Sequence, residues 1–205
     1  MITMVQSIEN TILNSVRKRG RGTVFFSSDF SRVGEKSAVL KALERMATGG
    51  TIIRVARGIY CYPKIDKELG LGILYPTYEE IAQAIAKRDK ARIVPAGIYA
   101  MNRLGLSTQV PMNVVYLTDG SPRKVVINGN RGIQFKHVAP KNLAFQNQLA
   151  LLINSALKEI GQDNITEEDK TRIKSLLSNE SKDSVMQDVK LVPDWIASII
   201  RESYE

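Results

Sequence analysis

Residues 35–62 combine a helical pattern of apolar positions with a strand pattern that follows at once. The helical part, residues 35–47, is an amphipathic helix, and its apolar positions are Val39, Leu40, Leu43, Met46 and Ala47. Gly49 and Gly50 are predicted to end it, because glycine readily adopts the left-handed conformation. Residues 53–62 predict a hairpin around an Arg57-Gly58 turn, which Pro63 closes. A helix followed by a short basic hairpin is the second half of a winged helix-turn-helix.

The residues before this stretch predict the first half of the same fold. An apolar stripe over residues 4–17 indicates a helix, and residues 23–26 a short β-branched and aromatic strand. Ser27 or Ser28 can cap a short helix that runs to Val33. The predicted order of helix, strand, short helix, turn, helix and hairpin is that of a complete winged helix-turn-helix. Similar patterns also occur in α+β domains that bind no nucleic acid, and some winged helices dock proteins.

Downstream residues predict a second domain of different construction. Residues 64–76 resemble a linker broken by glycine and proline, and Thr77 with Glu80 forms a capping box at the start of a helix. A short strand, a helix over residues 97–104 and three strands between residues 112 and 140 follow. Tight turns join the three strands, which favours an antiparallel meander with helices on one face.

After residue 142 the apolar spacing is helical up to the end of the chain. We therefore predict an α+β protein: a winged helix-turn-helix over residues 1–63, a linker over 64–76, and a second α+β domain over 77–205. The helical part of that domain is residues 143–205. It could be a docking surface or a cap over the sheet of the second domain, and we favour the cap.

The charge of the chain favours a polyanionic partner. Its 29 basic and 21 acidic residues give a net charge of +8. The surplus is uneven: residues 1–63 have ten basic and four acidic groups, residues 64–142 twelve and six, and residues 143–205 seven and eleven. Two basic parts followed by an acidic part suggest a nucleic-acid partner and a separate role for the end of the chain. A basic surface can also serve solubility alone.

Cysteine content and hydropathy favour a cytoplasmic protein. The single cysteine excludes an internal disulfide, which is typical of a reducing compartment. The N-terminus lacks the basic and apolar regions of a signal peptide, and no stretch approaches the ~20 apolar residues that cross a bilayer. We expect no membrane partner.

The sequence holds little that favours catalysis. His137 and Cys61 are the only residues of their types, so the usual zinc ligand sets cannot form. Phosphate-binding loops and metalloprotease motifs are absent from the sequence. Asp119, Arg123 and Lys124 could be read as a nuclease fragment but are more simply a polar turn. We expect no enzyme, no catalytic residue, no metal and no cofactor.

The predicted DNA contacts lie on the central helix and the hairpin. They are Arg32, Lys36, Ser37, Lys41, Arg45, Arg54 and Arg57. Ser37, Lys41 and Arg45 would face the major groove, and Lys36 would lie near a phosphate. Arg54 and Arg57 would contact phosphates or enter the minor groove. Glu44 interrupts this basic face, although a carboxylate can accept a hydrogen bond from cytosine.

Several of these segments together resemble a known family. The run from Phe25 through Asp29 and Gly34, the sequence AVLKALERM and the hairpin RVARGIYCYP are similar to the N-terminal domain of abortive-infection type E antitoxins, of type IV toxin-antitoxin systems. Pro95-Ala96-Gly97 and AMNRLGLS are similar to the second domain of that family. The resemblance covers residues 1 to about 140 and is greatest to a short branch that is usually described as a family of unknown function.

The resemblance implies a regulator with two partners. The winged helix would bind inverted repeats in the double-stranded DNA of its own promoter and repress transcription. The second domain would support repression and counteract a nucleotidyltransferase-like toxin encoded alongside. A nucleic-acid-acting enzyme and a winged helix that only docks proteins are the alternatives.

Overall fold

The protein is an α+β chain that divides into two compact units. The computed structural model describes residues 7–129 and 131–205, which contain eight α-helices and nine β-strands. One unit ends at Ile85, and the other runs from Ala86 to Glu205. The α+β class agrees with the sequence prediction. No helix among the described residues is both long and apolar enough to cross a membrane.

The first unit alternates helices with short strands. Its elements are α1 (Ile8–Arg19), β1 (Val24–Phe26), a 3₁₀ helix (Ser27–Phe30), α2 (Lys36–Thr48), β2 (Ile53–Ala56) and β3 (Ile59–Cys61). The strands form an antiparallel sheet in the order β1-β3-β2. The predicted short helix is therefore a 3₁₀ turn. The start of the predicted first helix, residues 4–6, lies outside the described residues.

One core joins the helices and the sheet of this unit. The buried residues that form it are Ile12, Val16, Phe25, Phe30, Val39, Ala42, Leu43, Met46, Ile52, Tyr60 and Tyr62. Phe25 stacks on Tyr60 with 5.8 Å between ring centroids, which fixes the middle of the sheet against the helices. α2 ends at the predicted glycine pair, and Gly50, with φ 71°, has the left-handed conformation there.

Residues 64–76, predicted as a linker, contain a small ribbon. β4 (Lys64–Asp66) and β5 (Gly72–Leu74) pair antiparallel. α3 (Tyr78–Asp89) follows, and the predicted capping box at its start is confirmed. Thr77 N donates to Glu80 Oε2 at 2.8 Å, and Glu80 N donates to Thr77 Oγ1 at 3.1 Å. The division between the two units falls within α3.

The predicted antiparallel meander is wrong. β6 (Ile93–Ala96), β7 (Asn113–Thr118), β8 (Arg123–Asn128) and β9 (Arg131–His137) form a sheet in the order β6-β7-β9-β8, and β7 and β9 are parallel. The turn after β7 passes the end of β9 instead of leading back along β7. The Gly120 carbonyl oxygen lies 2.9 Å from His137 Nδ1, and Val138 N donates to Thr118 O at 2.8 Å. These contacts hold the end of β9 beside β7.

The helices of the second unit pack into one core with the sheet. They are α4 (Gly97–Leu104), α5 (Gln148–Ile160), α6 (Glu167–Leu177), α7 (Lys182–Asp188) and α8 (Asp194–Glu202). Residues of β6, α4 and all four C-terminal helices belong to this core. The predicted start of α6 is confirmed by the capping box of Thr166 and Asp169. Packing of residues 143–205 into the core agrees with the predicted cap.

Candidate nucleic-acid interface

The exposed side of α2 is a polar face centred on two charged residues. Residues follow one another at about 100° around an α-helix. Val39, Ala42, Leu43 and Met46 are buried, so the opposite side is formed by Ser37, Lys41, Glu44 and Thr48. We call these four residues the α2 face. All four are exposed, and Lys41, Glu44 and Thr48 line an open depression. The α2 face therefore offers one cation, one carboxylate and two hydroxyl groups.

Arg45 lies at the edge of the α2 face and is paired. Its position on the helix is about 70° from the centre of the face. Arg45 Nε lies 2.6 Å from Glu9 Oε1 on α1, and the two side chains are 65% and 39% exposed. Exposed ion pairs contribute little to stability, so a phosphate could replace the carboxylate. The sequence pattern predicts Arg45 as a groove contact but carries no sign of this pair.

The start of α2 brings two further cations together with free backbone amides. Arg32 lies in the turn before α2, and Lys36 is its first residue; both are exposed. The N-cap residue, Glu35, makes no side-chain capping hydrogen bond. The first amides of an α-helix lack partners within the helix and favour anions. This end of α2 has the chemistry of a phosphate contact.

Arg54 lies on the face of the sheet that packs against the helices. In the strand register Arg54 is opposite Tyr60, and Tyr60 is opposite Phe25, so the three side chains share a face. Tyr60 and Phe25 belong to the core that contains residues of α2. β2 is an edge strand, and Arg54 is exposed. Arg54 is therefore on the same side of the sheet as α2.

The hairpin of β2 and β3, which we call the ribbon, has a constrained tip. Arg57 and Gly58 form the two-residue turn, and Gly58 has φ 74°, a conformation that disfavours residues with a β-carbon. Ser27 N donates to the Gly58 carbonyl oxygen at 3.2 Å, which ties the tip to the 3₁₀ helix. The exposed Arg57 side chain is thus carried by an anchored turn.

The basic group at the end of α1 divides into structural and available cations. Arg19 pairs with Asp29 at 3.0 Å. Arg21 donates to the Pro63 carbonyl oxygen at 2.9 Å and lies over the Tyr62 ring at 4.9 Å. Arg17 and Lys18 are exposed in the last turn of α1, where their charge favours the helix dipole. Arg19 and Arg21 therefore stabilise the fold.

Five of the seven predicted contacts are exposed cations without an ion pair among the described residues of the first unit: Arg32, Lys36, Lys41, Arg54 and Arg57. Residues 7–63 contain four acidic residues, and two of these, Glu9 and Asp29, are held by Arg45 and Arg19. The positive charge on α2 and the ribbon is thus little compensated locally.

The residues considered for nuclease chemistry do not form a cluster. Asp119 pairs with Arg92 at 2.7 Å, whereas Arg123 pairs with Asp89. Burial alone would raise the pKa of Asp119, but the hydrogen bonds and charge of Arg92 outweigh it and the pKa is lowered. In the part of the chain that the structure describes, no three His, Cys, Asp or Glu side chains form a group that could hold a metal ion.

Comparison with known proteins relates the chain to a family rather than to a characterised protein. No curated protein matches it. A solved structure, that of the RV2827C protein from Mycobacterium tuberculosis, is similar with 13% sequence identity and a TM-score of 0.48; the match covers 97% of this chain and 77% of that one. The model of a family of unknown function, DUF6088, matches residues 11–185, which include most of both units. The chain therefore belongs to the DUF6088 family.

Proposed function

We propose that the chain is a DNA-binding transcriptional regulator whose residues 7–63 act as a winged helix-turn-helix. The observation that carries this proposal is the arrangement of α2 and the ribbon. Exposed, unpaired cations lie at the start of α2, on its outer face and on the ribbon, and Arg54 is on the side of the sheet where α2 packs. The order of elements and the three-stranded antiparallel sheet support the winged-helix interpretation.

The dimensions of α2 suit the major groove. An α-helix with side chains is about 10–12 Å wide, and the groove of B-DNA is about 12 Å wide. Lys41 at the centre of the α2 face would donate to guanine, and Glu44 would accept from the amino group of cytosine. Ser37 would supply a hydroxyl group that contacts either partner. These three residues would read base sequence.

The remaining cations would position the protein on the duplex. Arg32 and Lys36 would contact phosphates beside the start of α2, and Arg54 and Arg57 would contact the backbone or the minor groove from the ribbon. Each neutralised phosphate contributes roughly −0.9 to the slope of log affinity against log salt concentration. Six such contacts would give a slope near about −5.

The wider role we propose is that of an antitoxin that represses its own promoter. Its support is the resemblance of residues 1 to about 140 to the abortive-infection type E antitoxins, and the presence of a separate second unit. The partners would be inverted repeats of double-stranded DNA and a nucleotidyltransferase-like toxin. Co-expression with the neighbouring reading frame tests this role: rescue of growth would support it, and an adjacent frame that is harmless alone would contradict it.

Fluorescence anisotropy with the full chain tests the DNA-binding proposal. The probe is the duplex immediately upstream of the reading frame, and the control is a scrambled duplex of the same composition. With a slope near −5, raising salt from about 50 mM to about 200 mM would weaken binding roughly 10³-fold. We expect tighter binding of the upstream duplex at every salt concentration. Affinity that is independent of salt, or equal for both duplexes, would overturn the proposal.

A further inference from the structure

The second unit contains a cavity that the proposed DNA contacts do not use. It lies among β6, β7, the end of β9, the start of α4 and one side of α5, and its volume is about 500 Å³. Sites for small molecules typically measure about 300–1,000 Å³. Most of the lining is apolar, with Val94, Ile98, Val115, Leu117, Val138 and Leu151 among its residues. The cavity has the size and the walls of a ligand site.

One side of α5 changes in chemical character along the cavity. Residues 151, 154, 155, 158 and 159 line it, and their spacing places them on one face of the helix. Leu151, Asn154 and Ser155 are buried, whereas Lys158 and Glu159 are exposed. The cavity wall is therefore apolar and polar in its buried part and charged at its exposed part.

Asn154 provides an acceptor without a partner inside the cavity. The residue is only 6% exposed, and its Oδ1 is buried without a hydrogen bond. Its neighbour Ser155 is satisfied, because its Oγ donates to the Pro95 carbonyl oxygen at 2.7 Å. An unpaired buried acceptor destabilises a fold, so an asparagine among apolar residues calls for a donor from elsewhere. A bound molecule with an N–H or O–H group would supply it.

The start of α4 provides a site for negative charge in the same cavity. Gly97, Ile98 and Tyr99 form its first turn and line the cavity, and the N-cap residue Ala96 has no side chain that can cap the amides. Helix N-termini bind anions through these amides and the helix dipole. Lys136 and Lys158 add positive charge to the lining.

Glu159 is the one acidic residue of the lining and competes for this position. A β-carbon built on Gly97 would lie 3.7 Å from Glu159 Oε1, so the carboxylate is close to the start of α4. Glu159 is exposed and can turn into solvent when another anion takes its place. With two lysines against one glutamate, the charged lining has a surplus of one positive charge.

We infer that this cavity binds a small anionic organic molecule with an apolar body. Its acidic group would lie at the start of α4 near Lys136 and Lys158, and an N–H or O–H group would donate to Asn154 Oδ1. The apolar body would contact the sheet residues between these two polar points. This inference does not depend on DNA binding, because every residue involved lies in the second unit.

Three probes separate the two polar contacts. 4-Hydroxybenzoate has both the anion and the donor, benzoate lacks the hydroxyl group, and phenol lacks the carboxylate. Titrated into the ¹⁵N-labelled full chain, 4-hydroxybenzoate should shift the amide signals of residues 97–99 and 151–159. Benzoate and phenol should each bind about tenfold more weakly, the effect of losing one hydrogen bond to a buried or charged partner.

Variants test the role of each contact. Asn154→Leu should abolish the preference for 4-hydroxybenzoate over benzoate without lowering the melting temperature, because it removes an unpaired acceptor from apolar surroundings. The exposed Lys158→Gln change should weaken both carboxylates, and Glu159→Gln should strengthen them. Lys124→Gln, an exposed change on β8 outside the cavity lining, is the control.

Two results would overturn the inference. One is the absence of any shift at the cavity with all three probes at millimolar concentration. The other is binding whose preference for the hydroxyl group survives Asn154→Leu and whose strength is unchanged in Lys158→Gln. Because Lys158 is exposed, its variant remains a test even if Asn154→Leu fails to fold.

Discussion

Removal of both ribbon arginines should change DNA binding by an amount that the structure allows us to calculate. Arg54 and Arg57 are exposed and make no ion pair among the described residues, so Arg54→Ala with Arg57→Ala leaves no carboxylate unpaired. Surface changes of this kind usually alter the free energy of unfolding by no more than about 0.5 kcal/mol. A change in binding can therefore be assigned to the interface.

The magnitude follows from counterion release. Loss of two phosphate contacts should make the slope of log affinity against log salt less negative by about 1.8. Relative to a 1 M salt reference, the affinity should fall roughly 60-fold at about 0.1 M salt and roughly ninefold at about 0.3 M salt. The loss should be the same for the upstream and scrambled duplexes, because phosphate contacts carry no base information.

The assay is the salt-titrated anisotropy measurement with a charge-matched control. Lys174→Ala with Lys190→Ala removes the same charge from exposed positions in the acidic C-terminal part. The control should leave the slope nearly unchanged. An unchanged slope in the ribbon variant, or an equal change in both variants, would refute the assignment of phosphate contacts to the ribbon.

Three further predictions concern charge, packing and ionisation. Glu9→Gln should release Arg45 and strengthen duplex binding by up to about fivefold in anisotropy, since exposed pairs contribute at most about 1 kcal/mol; unchanged binding would exclude Arg45 from the interface. Gly132→Ala should destabilise the fold by about 2 kcal/mol or more in thermal melts, because the new β-carbon would overlap the Val125 carbonyl; an unaltered melting temperature would contradict this. Burial, with a smaller effect of Glu80, raises the pKa of Cys61 to about 11, so iodoacetamide at pH 8 should label only denatured protein. The same shift should lower stability as pH rises from about 9 towards 11, because the unfolded thiol loses its proton first.

Local pattern predicted the elements of the first unit well, because the signals for each lie within it. The apolar stripe and the glycine pair defined α2, and the Arg57-Gly58 turn defined the ribbon. The strands of the second unit were also predicted, but their order was not. Alternation of apolar and polar residues tells which face of a strand is buried and not which strand lies beside it. The parallel pairing of β7 and β9 depends on contacts around Gly120 that no local pattern encodes.

The candidate sites divide in the same way. Exposed cations on α2 and the ribbon could be predicted because helical and strand periodicity assigns each side chain to a face. The Arg45–Glu9 pair joins residues that are far apart in sequence, so only the fold reveals it. The sequence gave a weak sign of the cavity, since Asn154 and Ser155 interrupt an otherwise apolar stretch of α5. Which of the two lacks a partner depends on Pro95, which is distant in the chain.

The central claim is that α2 and the ribbon together form one surface for a DNA duplex. The most direct test is an NMR titration of the ¹⁵N-labelled full chain with the upstream duplex, read residue by residue. We predict that the largest shifts occur in Lys36–Thr48 and Ile53–Cys61 and reverse as salt is added. Shifts confined to residues 143–205, or none at all at concentrations that saturate the anisotropy signal, would contradict the account.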